Sequence, residues 1–174
     1  MIKKKVFETE RLTVRYFDNS DQDAFFDLMS NPNVMNPIPV PVLNQEESKH
    51  KLIELIDLYK INSDKKIWAI DLKNNSKCIG LCGLIKNNEN ENEIAYRLRE
   101  KFWGLGYGTE ITKGLISYGF DKLKFDLLTA DAQISNLKSI HILEIYLNFD
   151  KEFYNPIEKC TDRRYKLEKK NWIG

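Results

Sequence analysis

Between Trp103 and Glu110 this 174-residue chain reads Trp-Gly-Leu-Gly-Tyr-Gly-Thr-Glu, placing glycine at positions 104, 106 and 108. The run Glu93-Ile94-Ala95-Tyr96-Arg97-Leu98 before it reads as a strand, and the residues after it carry apolar groups at helical spacing. Glycine admits positive φ and lets a ligand approach the main chain closely. A helix start offers unpaired N–H groups and the positive end of the helix dipole, so strand, glycine loop and helix together make a phosphate cradle. The plainer alternative is glycine packing between a strand and a helix.

The flanking segments supply the rest of the architecture. From Val6 to Tyr16, Leu12, Val14 and Tyr16 alternate with Arg11, Thr13 and Arg15, which predicts one half-buried strand. Ser20 and Asp23 resemble a capping box for a helix carrying Phe25, Leu28 and Met29, which Asn31-Pro32 stops. The prolines between Asn36 and Pro41 predict an extended loop, after which Asn44 and Glu47 open a helix with Leu52, Leu55, Ile56 and Tyr59 on its apolar face. Strand patterns at Trp68 to Leu72, Cys78 to Ile85 and Glu93 to Arg99 are joined by short polar turns, which predicts an antiparallel meander.

A helix over about 106–122 follows the glycine loop. One stripe holds Tyr107, Ile111, Leu115 and Tyr118, and a second holds Ile116, Phe120 and Leu123. A helix apolar on two sides is packed on two sides, or packed on one and covered by a second copy on the other. Segment 126–132 then reads as a strand, 136–147 as a helix, and 149–154 and 161–167 as closing strands. The expectation is a single α+β domain over residues 1–174 with a mixed, mostly antiparallel sheet and about four helices.

Composition removes several functions. Lys and Arg total 27 against 26 Asp and Glu, so no net field draws the chain to nucleic acid or an acidic membrane. No apolar run approaches the ~18 residues of a membrane span, and no apolar segment follows Met1, so a cytoplasmic location is expected. Cys78, Cys82 and Cys160 lack zinc-like spacing; the first two are expected as buried thiols on the same face as Gly80. His50 and His141 read as surface or helix-packing residues, and no metal is expected.

Among phosphate loops, a P-loop needs lysine and then serine or threonine after its second glycine, but Gly108 is followed by Thr109-Glu110. A Rossmann fingerprint belongs in the first strand-to-helix turn of a parallel sheet, whereas this loop follows a meander. Three stretches instead resemble the GNAT superfamily of N-acetyltransferases, in particular its ribosomal-protein N-acetyltransferase-like branch. Glu8-Thr9-Glu10-Arg11-Leu12 with Arg15 is similar to an opening "ETERL-x-x-R" strand. Phe102 to Glu110 is similar to "YWGKGYATE", the branch's coenzyme A pyrophosphate loop. Asn136-Leu137-Lys138-Ser139 with Leu143-Glu144 is similar to "N-x-x-S-x-x-x-L-E-K-L-G-F".

That resemblance implies a sheet with two strands splayed apart and acetyl-CoA held at the splay. Trp103, Gly104, Leu105, Gly106, Tyr107, Gly108 and Thr109 would form the pyrophosphate site, with the amides from Leu105 to Thr109 as donors. The backbone of Tyr96 and Leu98 would meet pantetheine, Asn136 would bond its arm, and Ser139 would sit near the thioester sulfur. Ser139 and Glu93 are the expected catalytic pair, as proton donor to the thiolate and as base through a water. The acceptor would be a primary amine, either a protein N-terminus or a small molecule. Relatives often form dimers, so the second stripe of the long helix reads as core or as homodimer interface.

The chain departs from the pattern at Leu143, where many GNAT enzymes carry an acid tyrosine, with Tyr146 about one turn later. That departure keeps a non-catalytic acyl-CoA sensor as the alternative function, with a nucleotide-binding regulator behind it. Trp103 stands where many members have glutamine or arginine, and its side chain is expected as a core anchor beneath the loop.

Overall fold

The computed structural model describes residues 4–35, 41–61, 63–156 and 159–174, so all of the proline-rich loop but Pro41 lies outside the described residues. The N-terminal segment is two strands, not one: β1 (Lys5–Glu8) turns back into β2 (Leu12–Arg15) as a hairpin. Leu12 and Val14 are buried as expected, but Arg15 is buried too and β1 does not alternate, and the turn contains neither glycine nor proline. It closes through the Thr9 amide on the Leu12 carbonyl at 3.0 Å and the Leu12 amide on Thr9 Oγ1 at 3.2 Å.

After a 3₁₀ turn at Asn19–Asp21 come α1 (Gln22–Met29) and the one-turn helix α2 (Pro32–Met35). The capping box belongs to the 3₁₀ turn: Asp18 caps it and Asp21 bonds back, in place of Ser20 and Asp23. Asp18 has an acceptor carboxylate, and it takes both the Ser20 amide at 2.8 Å and the Ser20 hydroxyl at 2.5 Å. Pro32 ends nothing further, because proline suits the first position of a helix and here starts α2. Asn44 and Glu47 form the expected box at the start of α3 (Gln45–Leu58), and Leu52 and Leu55 are buried as expected.

The meander is present as β3 (Lys66–Leu72), β4 (Cys78–Lys86) and β5 (Asn92–Leu98), all antiparallel. After β5 come α4 (Tyr107–Ser117), β6 (Leu127–Gln133), α5 (Leu137–Tyr146), β7 (Asn148–Asn155) and β8 (Cys160–Glu168). The eight strands make one sheet in the order β1-β2-β3-β4-β5-β6-β8-β7. One face packs on α4 and α5 through Trp68, Ile70, Ile94, Leu128 and Tyr165, and the other meets α1 to α3 through Ala69, Phe25, Met29 and Leu52. The mostly antiparallel α+β architecture is the expected one, with α2 as an extra short helix among the described residues.

Both expected stripes lie in this core: Ile111, Leu115 and Ile116 of α4 and Phe120, in the π-helical turn Tyr118–Lys122 that continues it, are all fully buried, so the second stripe is not an interface. The cysteines differ from expectation. A bulge at Ile79, opposite Ile70 and Asp71, shifts the register of β4, and a shift of one residue turns every later side chain to the other face. Cys82 therefore faces α4 while Cys78 faces α1 and α3. Both remain buried free thiols, and burial pushes Cys78 up to about 12.

Two features fix the frame around the site. Arg15, buried in β2, forks onto two buried carboxylates: Nε and Nη2 on Asp71 at 2.6 and 2.8 Å, Nη1 and Nη2 on Asp21 at 2.7 Å each. The second feature is the one parallel contact in the sheet. β5 and β6 share a single register pair, Glu93 opposite Thr129, and beyond it they part. No helix among the described residues is long and apolar enough to cross a membrane.

Candidate active site

β5 ends at Leu98 and passes through a 3₁₀ turn, Glu100–Phe102, into the glycine loop. Gly104 and Gly106 take φ of 73° and 80°, a region that costs any other L-residue strain. Gly106 directly precedes α4, and no side chain caps that helix start. Two other helix starts are capped by side chains: Asn44 Oδ1 takes the Glu46 and Glu47 amides of α3 at 3.0 Å, and Asn136 Oδ1 takes the Ser139 amide of α5 at 3.2 Å. Tyr107, Gly108 and Thr109, which carry the first amides of α4, instead line a cleft. Amides in that position, at the positive end of a helix, suit an anion.

The cleft holds about 570 Å³ and runs from the glycine loop along β5 to α5. Of the residues expected to hold the coenzyme, all line it except Leu105, which is half exposed and whose carbonyl accepts from Arg11 Nη1 at 3.0 Å. Asn136 stands at its wall as the cap of α5, and Ser139 follows one turn in. The loop packs tightly here: a Cβ on Gly108 would lie 3.1 Å from the Tyr96 hydroxyl and 3.0 Å from Ile142 Cδ1.

Trp103 is not the expected core anchor. Its indole N–H donates to the Leu98 carbonyl at 2.8 Å, and a ring tied to the strand end sits at the cleft rim, 36% exposed. Lys138 Nζ lies 5.7 Å from the centre of that ring, within cation–π range. The Leu98 carbonyl thus has one lone pair engaged at the mouth of the splay.

Glu93 and Ser139 are not brought together. Glu93 sits at the closed end of the splay beside Thr129 and is not a cleft-lining residue. Arg97 lines the cleft, with Nη1 against the sulfurs of Met29 and Met35 at 3.3 and 3.2 Å. His141, expected as a surface residue, is exposed on α5 at the cleft's edge.

Sequence reasoning assigned Tyr96 only its backbone. Its hydroxyl lies against the glycine loop, 3.1 Å from where a Cβ on Gly108 would be, with the side chains of Ser139 and Thr112 close by. Burial raises its pKa, with those two contacts pulling the other way. The period of the strand held the signal, since Ile94, Tyr96 and Leu98 share one face of β5 and Leu98 was placed beside the splay. Among the described residues, the cleft lining contains Arg97 and Lys138 but no aspartate or glutamate. Among the described residues, no group of three or more His, Cys, Asp or Glu could hold a metal ion.

A mixed sheet with one splayed parallel pair, and an uncapped helix start at the mouth of that splay, define a GNAT-type fold. The family model "Acetyltransferase (GNAT) domain" matches residues 11–145. An uncharacterized N-acetyltransferase p20 from Bacillus licheniformis is 30% identical, over 95% of this chain and 97% of that protein. Among solved structures, a GNAT acetyltransferase from Bacillus anthracis aligns with TM-score 0.81 at 23% identity, covering 94% of this chain and 98% of that one. The spermidine N-acetyltransferase of Vibrio cholerae, in complex with CoA and spermine, gives TM-score 0.78 at 18% identity over 94% and 99%. RimL, a ribosomal L7/L12 alpha-N-protein acetyltransferase in complex with coenzyme A, gives 0.78 at 17% over 95% and 98%. The chain belongs to the GNAT acetyltransferase family.

Proposed function

We propose that this protein is an acetyl-CoA-dependent N-acetyltransferase acting on a primary amine by direct attack in a ternary complex. The observation that carries the reading is the coincidence of three things at one place: the β5–β6 splay, the uncapped start of α4 and the cleft joining them. Acetyl-CoA supplies the activated acetyl group. The amides of Tyr107, Gly108 and Thr109 bind its diphosphate, and the backbone of Tyr96 and Leu98 with Asn136 orients the pantetheine. Ser139 Oγ, with the Tyr96 hydroxyl close by, returns a proton to the departing sulfur. Glu93 lies at the closed end of the splay outside the cleft lining, so it reaches the amine proton only through a chain of waters. Holding both reactants in one cleft supplies much of the acceleration.

The acceptor site lies toward α1, α2 and Arg97. A lining that carries Arg97 and Lys138 and no carboxylate opposes a polycation, so it favours a peptide N-terminus or a monoamine over a polyamine. That choice points toward the ribosomal-protein branch, to which the opening hairpin and the glycine loop are similar. The second reading, an acyl-CoA sensor without turnover, rests on Leu143 standing where many members carry the acid tyrosine. Thiol release from acetyl-CoA is measured with a panel of peptide N-termini, monoamines and polyamines. Turnover on at least one amine supports the enzyme, and CoA binding without turnover on any of them supports the sensor.

A further inference from the structure

The glycine loop is gripped from outside the cleft by the β1–β2 turn. Glu110, in the first turn of α4, takes three hydrogen bonds from that turn: Thr9 Oγ1 on Oε1 at 2.5 Å, the Arg11 amide on Oε1 at 2.7 Å, and Arg11 Nε on Oε2 at 2.6 Å. Arg11 then reaches further along the loop. Its Nη1 donates to the Leu105 carbonyl at 3.0 Å, and its guanidinium lies 4.6 Å from the centre of the Tyr107 ring. Nη2 would be 3.3 Å from a Cβ on Gly106. One side chain therefore touches three positions of the loop and helix start, Leu105, Tyr107 and Glu110.

The charges make this more than a clasp. A carboxylate in the first turn of a helix suits the dipole, but it also competes with any anion that comes to the same amides. Partial burial pushes the Glu110 carboxyl up, and the bonds from Thr9 and Arg11 outweigh burial, so it stays ionised with a depressed pKa. Left alone, that charge would repel a diphosphate one turn away. Arg11 is the cation paired with it, and it also draws the Leu105 carbonyl, a second negative dipole end, to the outer side of the loop.

We propose that Arg11 is a positioning residue for the coenzyme A diphosphate: it neutralises Glu110 and holds the loop so that the amides of residues 106–109 face the cleft. The proposal rests on the acetyl-CoA reading of this cleft. Its specific consequence is that the harm of losing Arg11 comes largely from the exposed Glu110 charge, and removing that charge relieves it.

The test measures CoA affinity by calorimetry for the wild type, Arg11→Met, Arg11→Lys and Arg11→Met/Glu110→Gln, each first checked for a cooperative thermal transition. Pantetheine, which lacks the diphosphate, is the second probe. Expected is a loss of about ten-fold or more in CoA affinity for Arg11→Met, an intermediate loss for Arg11→Lys, and recovery of most of the loss in the double variant. Pantetheine affinity should change less than two-fold across the set. Unchanged CoA affinity in Arg11→Met, or a double variant no better than Arg11→Met, overturns this proposal alone. A wild-type protein that binds no CoA overturns the acetyl-CoA reading, and this proposal with it.

Discussion

Replacing Gly106 by alanine puts one free energy to two possible uses, and both can be measured. Gly106 holds φ 80° and ψ 0° directly before α4. An alanine there pays roughly 1–2 kcal/mol for the left-handed conformation. The stiffer unfolded chain returns about 0.4–1 kcal/mol, so the net loss is about 1 kcal/mol if the loop keeps its shape. For a chain of this size that lowers Tm by roughly 2–4 °C. If the loop instead relaxes to negative φ, stability is spared and the amides of Tyr107 to Thr109 turn away from the cleft. A hydrogen bond to a charged group is worth roughly 1.5–3 kcal/mol, so losing one weakens CoA by about ten- to a hundred-fold. Gly106→Asn is the control, because asparagine carries the same Cβ, 3.3 Å from Arg11 Nη2, but tolerates positive φ better. Thermal melts and CoA titrations on both variants give the result. An alanine variant unchanged in both Tm and CoA affinity refutes the geometric reasoning, and so does an asparagine variant that is worse than alanine in both.

Arg15→Leu strands Asp21 and Asp71 without their shared cation, and urea unfolding should show a loss of about 3–5 kcal/mol. Asn136→Ala removes the cap that takes the Ser139 amide; a stability loss of about 1 kcal/mol together with weaker CoA binding is expected, and a melt plus a titration checks both. The depressed Glu110 pKa means that its contribution is fully present above the ordinary glutamate range and is lost as pH falls through the folded value. Glu110→Gln should therefore show a flatter acid limb than wild type in unfolding measured from pH 6 to pH 3.

What could be read from the chain follows the range of the interaction involved. Gly104 and Gly106 were legible because only glycine takes positive φ cheaply, and that requirement is met within one residue. The α3 start was legible because Asn44 and Glu47 bond each other across a single turn. The β1–β2 turn was not, because the groups that hold Thr9 and Arg11 include a glutamate about a hundred residues downstream. The face of Cys78 was hidden for a related reason: the bulge at Ile79 is a relation between two strands, and alternation within one strand carries no record of it. Trp103 failed on a polar detail, since its apolar bulk suggested burial while its N–H found the carbonyl at the end of β5.

The candidate site divides along the same line. Its proposed anion-binding part is one continuous segment whose chemistry is main-chain amides, so composition and order suffice to expose it. The groups that would tune it are side chains delivered by other elements. Arg11 comes from the N-terminal hairpin, Tyr96 from the face of β5, and Ser139 from α5 under an Asn136 cap. Each was visible as a residue, and two lay inside quoted motifs, yet only the fold brings Tyr96 and Ser139 to one cleft and Arg11 against the outer side of its loop. A motif such as Thr9-Glu10-Arg11 beside Leu12 is therefore better read as half of a pair. Its other half is Glu110, the last residue of the glycine-loop motif, and the two halves have meaning only where the fold makes them touch.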